Sequence, residues 1–132
     1  MNKEIIIQLL SLKTDDEFYI TLGKLNSSVN ENLEILYASD SEKENNNFLQ
    51  EGKAVSLIVK NWIKNRKSEI IKWICEDLNY CESELKKGSE KSQIIIAITD
   101  SLSMWSTGCP IPIVVLAVYL IRFKILDDLC NC

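Results

Sequence analysis

Cationic side chains gather in one stretch of this 132-residue chain, residues 60–72, which contains Trp62 and is followed directly by Trp73. Lysines and arginines beside aromatic rings can hold nucleic-acid phosphates while the rings stack on bases. The same cations can instead steer an acidic protein surface into register. The two tryptophans fall on the apolar stripes of predicted helices, where core packing accounts for them. The stretch therefore predicts a docking surface for a protein, with nucleic-acid binding as the alternative.

One aromatic side chain is predicted to anchor the partner on that surface. Trp105 ends a predicted helix and precedes the turn at Ser106–Gly108, and buried aromatic anchors supply much of the affinity of an interface. The competing interpretation, which the sequence favours, is that Trp105 closes the bundle as a lid beside Ile113, because large aromatic side chains are mostly buried. The predicted partner-binding residues are Lys60, Lys64, Arg66, Lys67 and Trp105.

Histidine is missing from the sequence. Its absence removes the usual general base, the commonest metal ligand and the usual partner of a serine or cysteine nucleophile. The four glycines are scattered and form neither of the common phosphate-binding loops. We therefore predict no catalytic residue, no cofactor and no enzymatic activity.

The five cysteines do not form a recognisable metal-binding motif. Cys75 and Cys81 are six residues apart, Cys130 and Cys132 are two apart, and the fifth is Cys109. Without histidine, zinc would require four of the five thiolates to converge. No secretory signal is recognisable ahead of Thr14. We expect reduced, metal-free thiols in a cytoplasmic protein, with Cys130 and Cys132 dispensable because chain ends usually fray.

The charge of the chain is divided between an acidic N-terminal end and a basic middle. The formal net charge is −4, so no overall attraction to nucleic acid or to an anionic membrane is expected. Acidic residues cluster at 15–17 and 40–44 and at Glu31 and Glu34, whereas the middle is basic. Complementary patches of this kind steer association between proteins. A protein partner is predicted, self-association is left open, and the acidic end around Glu31, Glu34 and Asp40 is the alternative interface.

An uncharged apolar run marks the centre of the fold. Residues 113–121 are apolar, follow two prolines, and would make a helix apolar on every side. A membrane span needs about 20 such residues, and a run of this length is typical of a buried core helix. The sequence predicts a central helix over residues 112–129 and no membrane span.

Helical spacing of apolar residues recurs along the rest of the chain. Capping-box patterns at Thr14–Glu17 and Ser28–Glu31 predict two helix starts. The segment 94–98 is rich in β-branched residues but has no second strand to pair with, so helix is preferred over strand. The predicted helices are 3–12, 15–26, 29–38 (or one bent helix over 15–38), 48–63, 70–84 and 91–105, with a polar loop at 39–47.

These observations predict an all-α, single-domain bundle of six or seven short helices over residues 1–132. No residue motif identifies a family. The expected function is a small cytoplasmic helical interaction module, acting as an adaptor or an accessory subunit of a larger assembly. The alternative function is a nucleic-acid-binding accessory protein that uses the basic 60–72 stretch.

Overall fold

Seven α-helices and one π-helical segment follow one another along residues 3–27, 42–82 and 91–132, the part of the chain that the computed structural model describes. No strand occurs within these ranges, so the prediction of an all-α fold is confirmed and residues 94–98 are helical. The elements are α1 (Lys3–Leu10), α2 (Asp15–Ser27), α3 (Glu42–Asn65), α4 (Lys67–Ile70), the π-helical segment (Ile71–Asp77), α5 (Lys91–Trp105), α6 (Ile113–Arg122) and α7 (Ile125–Cys130).

Helix α6 lies at the centre of the structure, as its apolar run predicts. Six consecutive residues, 115–120, are buried, and α6 contacts α1, α5 and α7. Pro112 precedes the first helical residue, and its carbonyl accepts the N–H of Leu116 at 3.0 Å. A helix that is apolar on every side is stable only when other elements surround it, so the remaining helices pack around α6.

The predicted helix 112–129 is in fact two helices. Lys124 adopts the left-handed conformation with φ 57°, which ends α6 and turns the chain into α7. Phe123, just before this turn, packs with its ring centroid 4.9 Å from that of Tyr119 and 5.7 Å from that of Phe18. Hydrophobic spacing continues across the break, and for this reason periodicity alone predicts one helix.

The start of α2 confirms the first predicted capping box. Thr14 Oγ1 accepts the N–H of Glu17 at 3.2 Å. The carboxylate of Glu17 reaches back one residue further than the usual box and accepts the N–H of Lys13 at 2.7 Å. Arg122 secures the same corner, because its guanidinium donates to the carbonyl of Leu12 at 2.8 Å and lies 3.5 Å from a carboxylate oxygen of Asp15.

Helices α2 and α3 pack with their backbones in contact, and two glycines make this possible. A Cβ atom on Gly23 would overlap the carbonyl of Phe48, and one on Gly52 would overlap the carbonyl of Tyr19. Gly23 lies four residues after Tyr19 in α2, and Gly52 lies four residues after Phe48 in α3. The later residue of each pair faces the earlier residue of the other pair, so the two helices run antiparallel. Only residues without a side chain allow this approach.

Helix α3 begins earlier than the sequence predicts. Residues 42–47 were expected in the polar loop 39–47 but belong to α3, because a polar run suits the solvated first turns of a helix as well as a loop. The predicted helix 29–38 and the rest of that loop lie outside the described residues. The predicted interruption at Lys64–Ser68 is a bend at a single residue, Arg66, with φ −110° and ψ 14°.

Two disulfides overturn the prediction of reduced thiols. Cys75 is bonded to Cys130, and Cys81 is bonded to Cys132. Cys109 is the free cysteine. Cysteines that are remote in sequence meet because α7 packs against the π-helical segment. One bond joins α7 to the π-helical segment, the other joins the residues that follow these two elements, and Cys130 and Cys132 are not frayed.

Candidate interaction surface on helix α3

One face of α3 presents lysines and aliphatic side chains to solvent. Lys53, Leu57, Lys60 and Lys64 follow one another at intervals of four, three and four residues, which places them on one side of the helix. All four are exposed, and Leu57 is 68% exposed. Ile58 is 58% exposed beside them. We call these five residues the α3 surface.

The opposite side of α3 explains why this surface remains uncovered. Val55, Val59 and Ile63 are buried in the core. Because this side of α3 faces the core, the residues on its other side face solvent. Ile58, although apolar, does not belong to this buried stripe. The residue directly before a core position lies about 100° away from it around the helix.

A groove of about 220 Å³ opens at the edge of the α3 surface. Ser56 and Tyr119 form a buried hydrogen bond of 2.9 Å between their hydroxyls below it. Burial raises the pKa of Tyr119, which the bond to Ser56 offsets only in part, so the phenol stays neutral at physiological pH. The hydroxyl of Ser56, which lines the groove, is thus already bonded to a neutral phenol, and two lysines also line the groove. Its lining residues are Tyr19, Lys53, Ser56, Leu57 and Lys60.

Two of the predicted binding residues, Lys60 and Lys64, lie together on the α3 surface. They are four residues apart, about 6 Å along the helix axis, and both are exposed. Lys67 is also exposed, but it belongs to α4, beyond the bend. Lys53 lies about 10 Å before Lys60 along the axis and extends the cationic line in the other direction.

Arg66 makes its contacts within the protein. Its guanidinium donates to the carbonyl of Thr107 at 3.2 Å and to its hydroxyl at 3.4 Å, and contacts the carboxylate of Glu69 at 3.4 Å. The indole of Trp62 donates to the same carbonyl at 3.3 Å, and the guanidinium lies 5.6 Å from the centre of its ring. Arg66 therefore fastens the turn after α5 to the α3–α4 bend.

Trp105 does not extend from the surface as a free anchor. The side chain is partly buried and packs against the core. Its indole nitrogen donates to the hydroxyl of Ser101, one turn earlier in α5, at 3.1 Å. This placement matches the lid alternative.

The tryptophans of the basic stretch offer little for a base to stack on. Trp62 is partly buried and is covered by Arg66, and the ammonium of Lys72 lies 5.0 Å from the centre of the Trp73 ring. Stacking of bases needs free ring faces. Within the stretch, the exposed cations lie instead beside exposed aliphatic side chains.

Sequence reasoning identified part of this surface and missed part of it. Lys60 and Lys64 were predicted, whereas Lys53, Leu57 and Ile58 were not among the predicted binding residues. The signal that could have found Lys53 and Leu57 is their spacing, since both continue the same helical face as the two predicted lysines. The structure separates Arg66 and Trp105 from this face.

The described residues hold no helix of sufficient length and hydrophobicity to cross a membrane. With four cysteines bonded in pairs, this part of the chain also holds no group of three or more histidine, cysteine, aspartate or glutamate side chains placed to bind a metal ion. Comparison of the chain with protein-family models, with curated proteins and with solved structures finds no match.

Proposed function

We propose that this protein is a small helical interaction module, an adaptor or accessory subunit, that binds an acidic protein segment through the α3 surface. The observation that carries the proposal is the exposed pair Leu57 and Ile58 bordered by three lysines. Apolar contacts supply affinity at interfaces, and complementary charge supplies steering and register. A partner helix with one apolar side chain between acidic residues complements this arrangement.

The groove supports the same proposal. A volume of about 220 Å³ accommodates one large apolar side chain, and Lys53 and Lys60 border it. An amphipathic helix placed in a groove presents its anchors at intervals of three, four and seven residues. The seven-residue interval between the two lysines matches carboxylates placed two turns apart on such a helix.

Identification of the partner and a charge-reversal pair test the proposal. The tagged chain is purified from its native cells, its partner is identified by mass spectrometry, and binding of the purified partner is measured by calorimetry. Lys60→Glu combined with Lys64→Glu should weaken binding at least about tenfold, because opposed charges become like charges. Lys13→Glu combined with Lys124→Glu changes the net charge equally at exposed sites elsewhere and should leave the affinity unchanged.

Equal losses in the two charge-reversal pairs would show a general charge effect and contradict the assignment to α3. A chain that stays monomeric in light scattering and retains no partner at low salt would contradict the module itself. The melting temperature of each variant is measured alongside, so that unfolding is not taken for lost binding.

The cytoplasmic location is still a proposal, but the disulfides remove one of the reasons for it. It rested on reduced thiols, and structural disulfides are typical of oxidising compartments. Alkylation of thiols in freshly lysed native cells measures which state occurs there. Four protected cysteines would favour an oxidising compartment, and five alkylated cysteines the cytoplasm.

A further inference from the structure

Four of the five cysteines meet at one corner of the fold. Cys75 comes from the π-helical segment and Cys81 from the turn after it, whereas Cys130 ends α7 and Cys132 follows it. The Cα atoms of the bonded pairs are 5.3 and 5.7 Å apart. The sulfur of Cys81 lies 3.4 Å from the carbonyl oxygen of Cys130, a residue of the other disulfide, so the two bonds are neighbours.

An asparagine in the left-handed conformation precedes both Cys81 and Cys132 and turns the chain toward this corner. Asn79 has φ 51° and Asn131 has φ 59°, a conformation that asparagine tolerates at the end of a helix. The N–H of Tyr80 then bonds to the carbonyl of Ile74 at 3.3 Å, and that of Cys132 to the carbonyl of Asp127 at 2.9 Å. At both places the chain folds back on the helix that precedes it, so that Cys81 and Cys132 face the same corner.

A carboxylate lies beside the sulfur of Cys132. One oxygen of Asp127 lies 4.0 Å from the sulfur of Cys132 and accepts the hydroxyl of Tyr80 at 3.2 Å. Ordered hydrogen bonds around the ligands are a regular part of protein metal sites. Cys132 is exposed and the other three cysteines are partly exposed, so that solutes have access to the sulfurs.

We propose that this corner is a redox-controlled zinc site, in which reduction of the two disulfides yields four thiolates that bind one zinc ion. Each disulfide takes two electrons and two protons from a thiol reductant, which is itself oxidised to a disulfide. Binding of Zn²⁺ by the four resulting thiols then releases four protons. In the reverse direction, each thiolate pair gives two electrons to one molecule of hydrogen peroxide, which takes up two protons and is reduced to two molecules of water, and the zinc ion is released.

Zinc is the metal that this set of donors favours. Four cysteine thiolates are a common ligand set of structural zinc sites, with tetrahedral geometry and bonds of about 2.3 Å. Soft thiolates exclude magnesium and calcium, which take oxygen ligands. Around a tetrahedral ion the sulfurs lie roughly 3.8 Å apart, so each bonded pair has to open. We place this rearrangement at Cys132, which is exposed and follows the last residues of α7.

The zinc state and the disulfide state would hold the same two elements together under opposite conditions. In an oxidising compartment the disulfides join α7 to the π-helical segment, and in a reducing one the zinc ion does so. The inference is independent of the α3 surface and of any partner bound there.

The test is metal loading of the intact reduced chain. The protein is reduced with excess dithiothreitol, freed of it by gel filtration under argon and titrated with Co²⁺ as a spectroscopic probe, followed by displacement with Zn²⁺. We expect visible d–d bands and thiolate-to-cobalt charge-transfer bands typical of tetrahedral tetrathiolate cobalt, and about one zinc ion per chain by elemental analysis. Addition of hydrogen peroxide should release the zinc to a colorimetric chelator.

The fifth cysteine provides a matched control. Cys109→Ser removes a thiol outside the corner and should bind about one zinc ion per chain, as the parent does. Cys132→Ser removes an exposed ligand and should weaken Co²⁺ binding and change its charge-transfer intensity. A reduced parent that is folded by circular dichroism and binds no metal would overturn the proposal. A reduced parent that is unfolded and does not refold when Zn²⁺ is added would overturn it as well, as would equal losses in the two variants.

Discussion

Reduction of the two disulfides in the absence of metal should remove a large part of the stability of this fold. The bonds join residues that are 55 and 51 positions apart. A loop of about 55 residues constrains the unfolded chain by roughly 4 kcal/mol in the loop-entropy estimate. Once that bond exists, the second closes a ring of only about ten residues and adds roughly 3 kcal/mol. The pair together, about 7 kcal/mol, is comparable with the whole stability of a typical domain.

The assay is urea unfolding followed by circular dichroism, with a chelator present and with or without reductant. We expect the reduced, metal-free chain to be unfolded or to unfold at much lower urea than the oxidised chain. Cys75→Ser combined with Cys130→Ser removes one bond without reductant and should cost less than reduction of both. If the oxidised and reduced midpoints differed by less than the equivalent of about 1 kcal/mol, the disulfides would not constrain the unfolded state as argued.

Three further outcomes follow from the packing and the electrostatics. Gly52→Ala should destabilise the protein by roughly 2 kcal/mol or more in urea unfolding, because the new Cβ would overlap the carbonyl of Tyr19; exposed Asn61→Ala on the same helix should change stability by less than about 0.5 kcal/mol. Leu116→Asp places a carboxylate in the buried centre of α6 and should abolish cooperative unfolding, and a melt within a few degrees of the parent would contradict the central position of that helix. Burial and the neighbouring Asp127 raise the pKa of Tyr80 from 10.0 to about 12, so the folded state holds the phenol proton more tightly and stability should fall as the pH rises from 10 to 12; Tyr80→Phe should make that fall shallower.

Sequence patterns predicted those elements whose cause is local. Thr14 and Glu17 cap α2 because the residues that form the hydrogen bonds are three positions apart. The helix over Lys91–Trp105 was predicted at both ends. The burial of α6 follows from a run of apolar residues too short for a membrane and too apolar for a surface. In each case one segment of the sequence contains the whole reason.

Where two segments combine, the sequence alone was a weaker guide. The contact of α2 with α3 depends on Gly23 facing Phe48 and Gly52 facing Tyr19. Nothing in the sequence around either glycine indicates which residue of the other helix it faces. Arg66 was predicted to bind a partner because it is a cation among cations. In the structure its guanidinium contacts Thr107, which lies 41 residues further along the chain. Periodicity gives the face on which a residue lies but not the segment that covers it.

The spacing of the cysteines does not predict that the two disulfides are neighbours, but the local backbone geometry explains it. On an α-helix, Cys75 and Cys81 would lie on different sides, and this spacing argued against a shared site. The segment that holds Cys75 is a π-helix, and left-handed Asn79 reverses the chain before Cys81. Asn131 reverses it again between Cys130 and Cys132. Two reversals of the chain at left-handed asparagines thus bring the two disulfides next to each other, where the sequence shows two unrelated pairs. Replacement of Asn131 by a β-branched residue, for which this conformation is strained, should therefore weaken both the disulfide and the zinc state, whereas Asn131→Gly should preserve both.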